Sequence, residues 1–227
     1  MMGIERKNLS ISDRERLCTA IHESGHAIAA RFTEHAKKLY KATIVSRGGS
    51  LGATYTMPSE SDQVSVSKEK LLASIDVAMG GHIAEKLVMG DKNISSGCGS
   101  DLQKATDMAK RGIREFGMFG DEGAGFISSN MRDTSDEFTR SVDDKAKLIL
   151  QESHDRVMKL LKEKEIELKH LSRGLFWYDY LDSDEIEEII NGKDITKPKV
   201  REWKGQKYFI EFGKAVSSLT DKRGRDL

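Results

Sequence analysis

His22, Glu23 and His26 form an HExxH pattern, His22-Glu23-Ser24-Gly25-His26, whose residue types and spacing suit metal-assisted hydrolysis. On a helix of 3.6 residues per turn the two imidazoles fall on one face about a turn apart, so both reach one zinc ion. Glu23 is rotated roughly 100° from His22, off the ligand line. There its carboxylate can take a proton from a water that zinc has activated toward a pKa of about 7, then pass it to a leaving amine. A catalytic zinc also needs a third protein ligand and an open position. Three residues qualify: Glu85, as in peptidases with a glutamate ligand; His82, one turn earlier, as in three-histidine sites; and Asp101. Asp101 follows a small-residue loop and opens a predicted helix, whose positive end keeps a carboxylate ionised. Ranked by physical chemistry alone, Asp101 comes first by a narrow margin.

The elements that must position these groups are mostly helical. Ser12 and Glu15 form a capping box, which starts a helix over 12–32 with Leu17, Ile21, Ile28 and Phe32 along one stripe. Two β-branched and aromatic runs, 41–45 and 51–57, flank Arg47-Gly48-Gly49-Ser50 and predict a hairpin, or a strand and a glycine loop. Ser67 caps a helix that ends at Gly90. The loop 91–99 is rich in Ser and Gly, and Ser100 with Gln103 predicts a second capping box, placing Asp101 in the first turn of a helix that stops near Gly117. Glycines at 117, 120, 123 and 125 mark a loop with room for a short strand at 125–128. A helical pattern returns over 142–170 and again over 183–190. The expected fold class is therefore mainly α, with a small β-hairpin or short sheet.

Composition narrows the function classes. The 227 residues carry 37 Lys or Arg against 37 Asp or Glu, so no overall field draws the chain to nucleic acid or to an anionic membrane. No apolar run is long enough to span a bilayer. Cys18 and Cys98 are two thiols without a framework, and no Gly-rich loop ending in Gly-Lys-Ser or Gly-Lys-Thr is present, so no nucleotide site is expected. Residues 193–227 hold ten Lys or Arg against five Asp or Glu, which reads as a basic tail, although Tyr208, Phe209, Ile210 and Phe212 call for a surface to rest on.

Four co-linear stretches then stand out: HESGHAIAARF from His22, KATIVSRGGSLGATY from Lys41, DVAMGGHIAEKLVMG from Asp76 and SSGCGSDLQKAT from Ser95. Together with LSRGLFWYDYLDSDEIEEI from Leu171, they resemble the peptidase domain of the FtsH family of AAA-linked zinc proteases, most of all its mitochondrial i-AAA branch. The likeness runs from about Gly3 to Lys197, so residues 1–197 are expected to form the peptidase domain and 198–227 a basic C-terminal tail. The resemblance implies a helical zinc metalloendopeptidase with Zn2+ on His22, His26 and Asp101, and Glu23 as base. It implies that Gly52, Ala53, Thr54 and Tyr55 form an edge strand on which an extended polypeptide adds by main-chain hydrogen bonds. Glu85 is expected to orient a zinc-binding histidine, while Lys86 and His82 depart from the family's usual acid and arginine. Ser95, Ser96 and Gly97 are expected to shape the site.

By the same resemblance the family's ATPase and membrane anchor lie upstream. The expected setting is a homo-hexamer at the mitochondrial inner membrane, with the peptidase facing the intermembrane space and taking unfolded or membrane-derived polypeptides. The segment from Met1 to Arg6 resembles the junction after the ATPase, so the chain is expected to be an excised domain or a stand-alone product. Two alternatives stay open: a non-catalytic assembly module of a hexameric protease, and an aminopeptidase with Glu85 as third ligand. Activity is expected to fall in mild acid as His22 and His26 protonate and release the metal.

Overall fold

A computed structural model describes residues 11–46, 51–57, 65–120, 135–193 and 195–200. Helix α1 (Asp13–Phe32) starts as expected: the Ser12 side chain accepts from the Glu15 amide while Glu15 bonds back to Ser12. Strands β1 (Leu39–Thr43) and β2 (Ala53–Thr56) pair antiparallel. Helix α2 (Lys68–Met89) begins at the Ser67 cap and ends at Gly90, whose φ of 81° suits a residue without a Cβ. Then come α3 (Gly99–Arg114), α4 (Asp136–Glu163), α5 (Glu165–Tyr178), β3 (Tyr180–Asp182) and α6 (Ser183–Ile190). Among the described residues the result is mainly helical with one small sheet, ordered β2-β1-β3.

Three details differ from the sequence pattern. The predicted capping box of Ser100 and Gln103 does not form: a 3-10 turn over Ser96–Cys98 runs straight into α3, and Gln103 donates instead to Asp107. The pattern over 142–170 is two helices that meet at Lys164, and the first begins earlier, at its Ser135 cap. A third strand, β3, pairs with β1 through Ala42 and Leu181. It follows Asp179, which takes the left-handed conformation (φ 62°) that usually marks a glycine and whose carbonyl accepts from Ile44 N and Thr43 Oγ1. The strand expected at 125–128 and the chain beyond 200 lie outside the described residues.

Helix α1 lies against α2 and α5, and α2 lies also against α3 and α4, so both helices bury more than one face. Ile21, Ile28, Ile75, Ile83 and Ile113 are fully buried where they meet. Each such side chain contributes about 1.5–3 kcal/mol relative to exposure. The approach of α1 to α2 is set by glycine: a Cβ on Gly25 would lie 2.3 Å from the Gly80 carbonyl oxygen, and one on Gly80 2.6 Å from that of Gly25. Between α2 and α4, the buried Asp76 accepts from Ser153 Oγ at 2.5 Å and from two nitrogens of Arg156 at 2.8 and 3.0 Å. That cluster fixes the middle of α2, one residue before Val77. At the far edge, Lys197 Nζ donates to the Tyr180 carbonyl and to Glu185, and Val200 N donates to the Trp177 carbonyl.

Candidate metal centre

The close crossing of α1 and α2 places both imidazoles of α1 against Gly81, where a Cβ would stand 2.6–2.7 Å from ring atoms of His22 and His26. Only a glycine leaves that space for the rings. Asp101, in the first turn of α3, reaches the same point. His22 Nε2 lies 3.1 Å from Asp101 Oδ2, His26 Nε2 lies 3.2 Å from it, and the two Nε2 atoms are 3.1 Å apart.

The outer ring nitrogens settle what these three atoms can be. His26 Nδ1 is 2.7 Å from the Val77 carbonyl, which can only accept, so that nitrogen carries the proton. His22 Nδ1 faces Glu85 Oε1 at 2.8 Å and is likewise the donor. In the neutral tautomers both Nε2 atoms and the Asp101 oxygen are then acceptors aimed at one spot, an arrangement that repels itself unless a cation or a proton stands between them. Their spacing is close to the ~3.3 Å separation of nitrogen and oxygen ligands about 2.0–2.1 Å from a tetrahedral zinc. Two imidazoles and a carboxylate, each held from behind, form a donor set that fits zinc.

Without metal, a proton takes that role. Burial alone would lower the His22 pKa, but its contacts with Asp101, Cys98 and Glu85 reverse this and push it up to about 12. Burial works to raise the Asp101 carboxyl, but the bonds from His22 and His26 hold it well below the usual range. Its second oxygen, Oδ1, accepts from Lys104 Nζ at 2.9 Å.

Glu85, 1% exposed, is held by three donors besides His22: Ser95 N on Oε2 at 2.6 Å, Ser95 Oγ on Oε1 at 3.0 Å and the Cys98 thiol on Oε1 at 3.3 Å. Burial opposes its charge, yet His22 and the Ser95 amide bring its pKa below the ordinary value. Glu85 therefore sits at the opposite ring nitrogen of His22 from Asp101. His82 joins neither group of potential ligands among the described residues; it is half-buried, its Nδ1 lacks a hydrogen-bond partner, and burial lowers its pKa.

Glu23, 6% exposed, opens on the same cleft, whose volume is about 810 Å³. Burial raises its pKa, against the pull of His26 and His22. Thr54 Oγ1 lies 2.7 Å from Glu23 Oε2 and 3.1 Å from its main-chain carbonyl, and a Cβ on Gly52 would come within 2.8 Å of the Glu23 side chain. Strand β2 is thus pinned beside the carboxylate. Gly52, Ala53, Thr54 and Thr56 line the cleft, whereas the Tyr55 ring lies under Lys41 Nζ at 4.7 Å, outside the lining. β2 has β1 on one side only among the described strands.

A family profile described as Peptidase family M41 matches residues 9–189, which include all of these groups. The chain belongs to peptidase family M41. It is 43% identical over 199 residues to the mitochondrial inner membrane i-AAA protease supercomplex subunit YME1 of Saccharomyces cerevisiae, covering 88% of this chain and 26% of the yeast protein. It is 37% identical over 196 residues to the ATP-dependent zinc metalloprotease YME1L1 of Homo sapiens, covering 86% of this chain and 25% of the human protein. With the ATP-dependent zinc metalloprotease FtsH of Buchnera aphidicola it shares 33% over 212 residues, 88% of this chain and 34% of the bacterial one. The chain therefore spans about a quarter to a third of the length of these relatives.

Four features of this M41 site were not read from the sequence: the Thr54 bond to Glu23, the Val77 carbonyl behind His26, the space kept by Gly81, and Cys98 on Glu85. Three of them depend on which residue faces which across α1 and its neighbours. Only Gly81 left a trace, as part of a Gly-Gly pair inside a helix.

Proposed function

We propose that this chain is the peptidase part of a zinc metalloendopeptidase that cuts unfolded or membrane-derived polypeptides in protein quality control, with His22, His26 and Asp101 as metal ligands and Glu23 as catalytic base. The observation that carries the reading is the triangle of three acceptor atoms 3.1–3.2 Å apart beside a buried glutamate. Bound there, zinc supplies Lewis acidity and lowers the pKa of water. Glu23 removes the proton of the attacking water and delivers it to the leaving amine. Burial works to raise its pKa in the metal-free site, the direction that makes a carboxylate a better base near neutral pH. Thr54 holds the Glu23 carboxylate toward the cleft, and Glu85 fixes the ring and tautomer of His22.

Substrate lies extended along β2 and adds to it as a further strand, with Gly52, Ala53 and Thr54 beneath it and Tyr55 contributing main chain alone. Recognition through backbone hydrogen bonds tolerates varied side chains. The relatives' names, an i-AAA protease subunit of the mitochondrial inner membrane and ATP-dependent zinc metalloproteases, support a wider setting at that membrane with an ATPase joined to this domain; the homo-hexamer and a peptidase facing the intermembrane space belong to the proposal. The test is Glu23→Gln in zinc-loaded protein. Casein cleavage is expected to fall at least about 100-fold, within the usual range for loss of a general base, with zinc content unchanged. Undiminished cleavage contradicts the mechanism.

A further inference from the structure

Cys98 takes no part in the chemistry above, yet it is 2% exposed and lies against His22 and Glu85, with which it forms a second set able to hold a metal ion. Cys98 Sγ is 3.3 Å from Glu85 Oε1 and 3.8 Å from His22 Nδ1, and those two atoms are 2.8 Å apart. These edges bracket the ~3.3–3.5 Å expected among sulfur, nitrogen and oxygen ligands of a four-coordinate zinc ion. We propose that Cys98 Sγ, His22 Nδ1 and Glu85 Oε1 form a second metal site, one for a thiophilic dication such as Cd2+ or excess Zn2+, with the His22 ring bridging it to the first.

Charge balance favours the exchange. In the metal-free pocket the Cys98 S–H and the His22 Nδ1–H both donate to Glu85 Oε1. One dication enters as these two protons leave, so the net charge of a buried pocket does not change. Glu85 stays in place because its other oxygen, Oε2, keeps the Ser95 amide. The thiolate selects cadmium and zinc over magnesium and calcium. The ion has a route in, since Ser95, Ser96 and Gly97, just before Cys98, line the open cleft. Once bound, it removes the hydrogen bond by which Glu85 orients His22 and makes the ring a bridge shared between two ions, so hydrolysis slows. The bridging to a first ion and this inhibition rest on the proposed function; the binding at Cys98 and Glu85 does not.

The test titrates Cd2+ into zinc-loaded protein and follows the ultraviolet thiolate-to-cadmium charge-transfer band. The expected result is a band that saturates at one equivalent with zinc retained, persists in Cys18→Ser and is absent in Cys98→Ser and Cys98→Ala. Casein cleavage by the wild type is expected to fall about tenfold or more as the band grows. In Asp101→Asn the band is expected to survive loss of zinc, which separates failure of this site from failure of the catalytic reading. A missing band, a band indifferent to Cys98, or cadmium that expels zinc each overturns the proposal. If the Cys98 variants do not fold, the cadmium X-ray absorption of the wild type decides: one sulfur neighbour supports the site and a shell without sulfur overturns it.

Discussion

His22 and His26 are the same residue type one turn apart on the same helix, yet they are held by opposite means. Behind His22 stands a carboxylate, Glu85, itself gripped by Ser95 and Cys98. Behind His26 stands a main-chain carbonyl of α2, that of Val77. The first anchor is made of side-chain charge and can be retuned by a single substitution. The second is made of backbone position and depends on how closely α1 and α2 approach, which Gly25 and Gly80 decide. A zinc ion bound between them would thus have one ligand governed by electrostatics and one governed by packing.

The largest effect is expected from breaking the packed side. Gly25→Ala drives a methyl to within 2.3 Å of a backbone oxygen, which cannot rotate away. Overpacking of this sort costs about 1–3 kcal/mol or more, and here the displaced helix carries the His26 anchor with it. A lower melting temperature and loss of stoichiometric zinc are expected; thermal unfolding and metal analysis check both. A smaller effect is expected on the electrostatic side. Glu85→Gln keeps the shape and removes the charge, and loss of such a support typically costs 10–100-fold in metal affinity or activity. Competition with a chromophoric chelator measures it, and the melting temperature of the zinc-loaded protein should move far less than in Gly25→Ala.

The smallest step is read by pH, where the linkage of one proton changes stability by at most about 1.4 kcal/mol per pH unit. In the chelated protein the folded-state pKa of His22 is about 12 against an ordinary 6.5. The stability this supplies is fully present below 6.5 and drains away as pH rises toward 12. The chelated melting temperature should therefore fall progressively above pH 6.5, and in Glu85→Gln, where His22 loses one of the partners that raise its pKa, that fall should end at a lower pH. Calorimetric titration of zinc at pH 7 in buffers of differing ionisation enthalpy should also show about one proton released from the wild type.

Local signals carried well from sequence to structure. The Ser12 and Glu15 box, the Ser67 cap and the Gly90 stop bound α1 and α2 within a residue, because capping is chemistry between neighbours. Periodicity within one helix likewise put His22 and His26 together and Glu23 off their line. Features that depend on tertiary register were not legible. The break at Lys164 has neither proline nor glycine to announce it, and β3 is three residues long behind an aspartate in a conformation expected of glycine. Ser100 and Gln103 matched a cap, but the turn over Ser96–Cys98 started the helix first. Within the site, Thr54 and Val77 act by position across an interface, which no spacing along the chain encodes.

The central claim is that a single ion is held by two imidazoles and one distant carboxylate. Zinc X-ray absorption on protein loaded with one equivalent tests it most directly. The account predicts only nitrogen and oxygen neighbours at about 2.0–2.1 Å, with the outer-shell scattering of two imidazoles, and the loss of that shell in Asp101→Asn. A sulfur neighbour at about 2.3 Å, or a shell unchanged by Asp101→Asn, would contradict it.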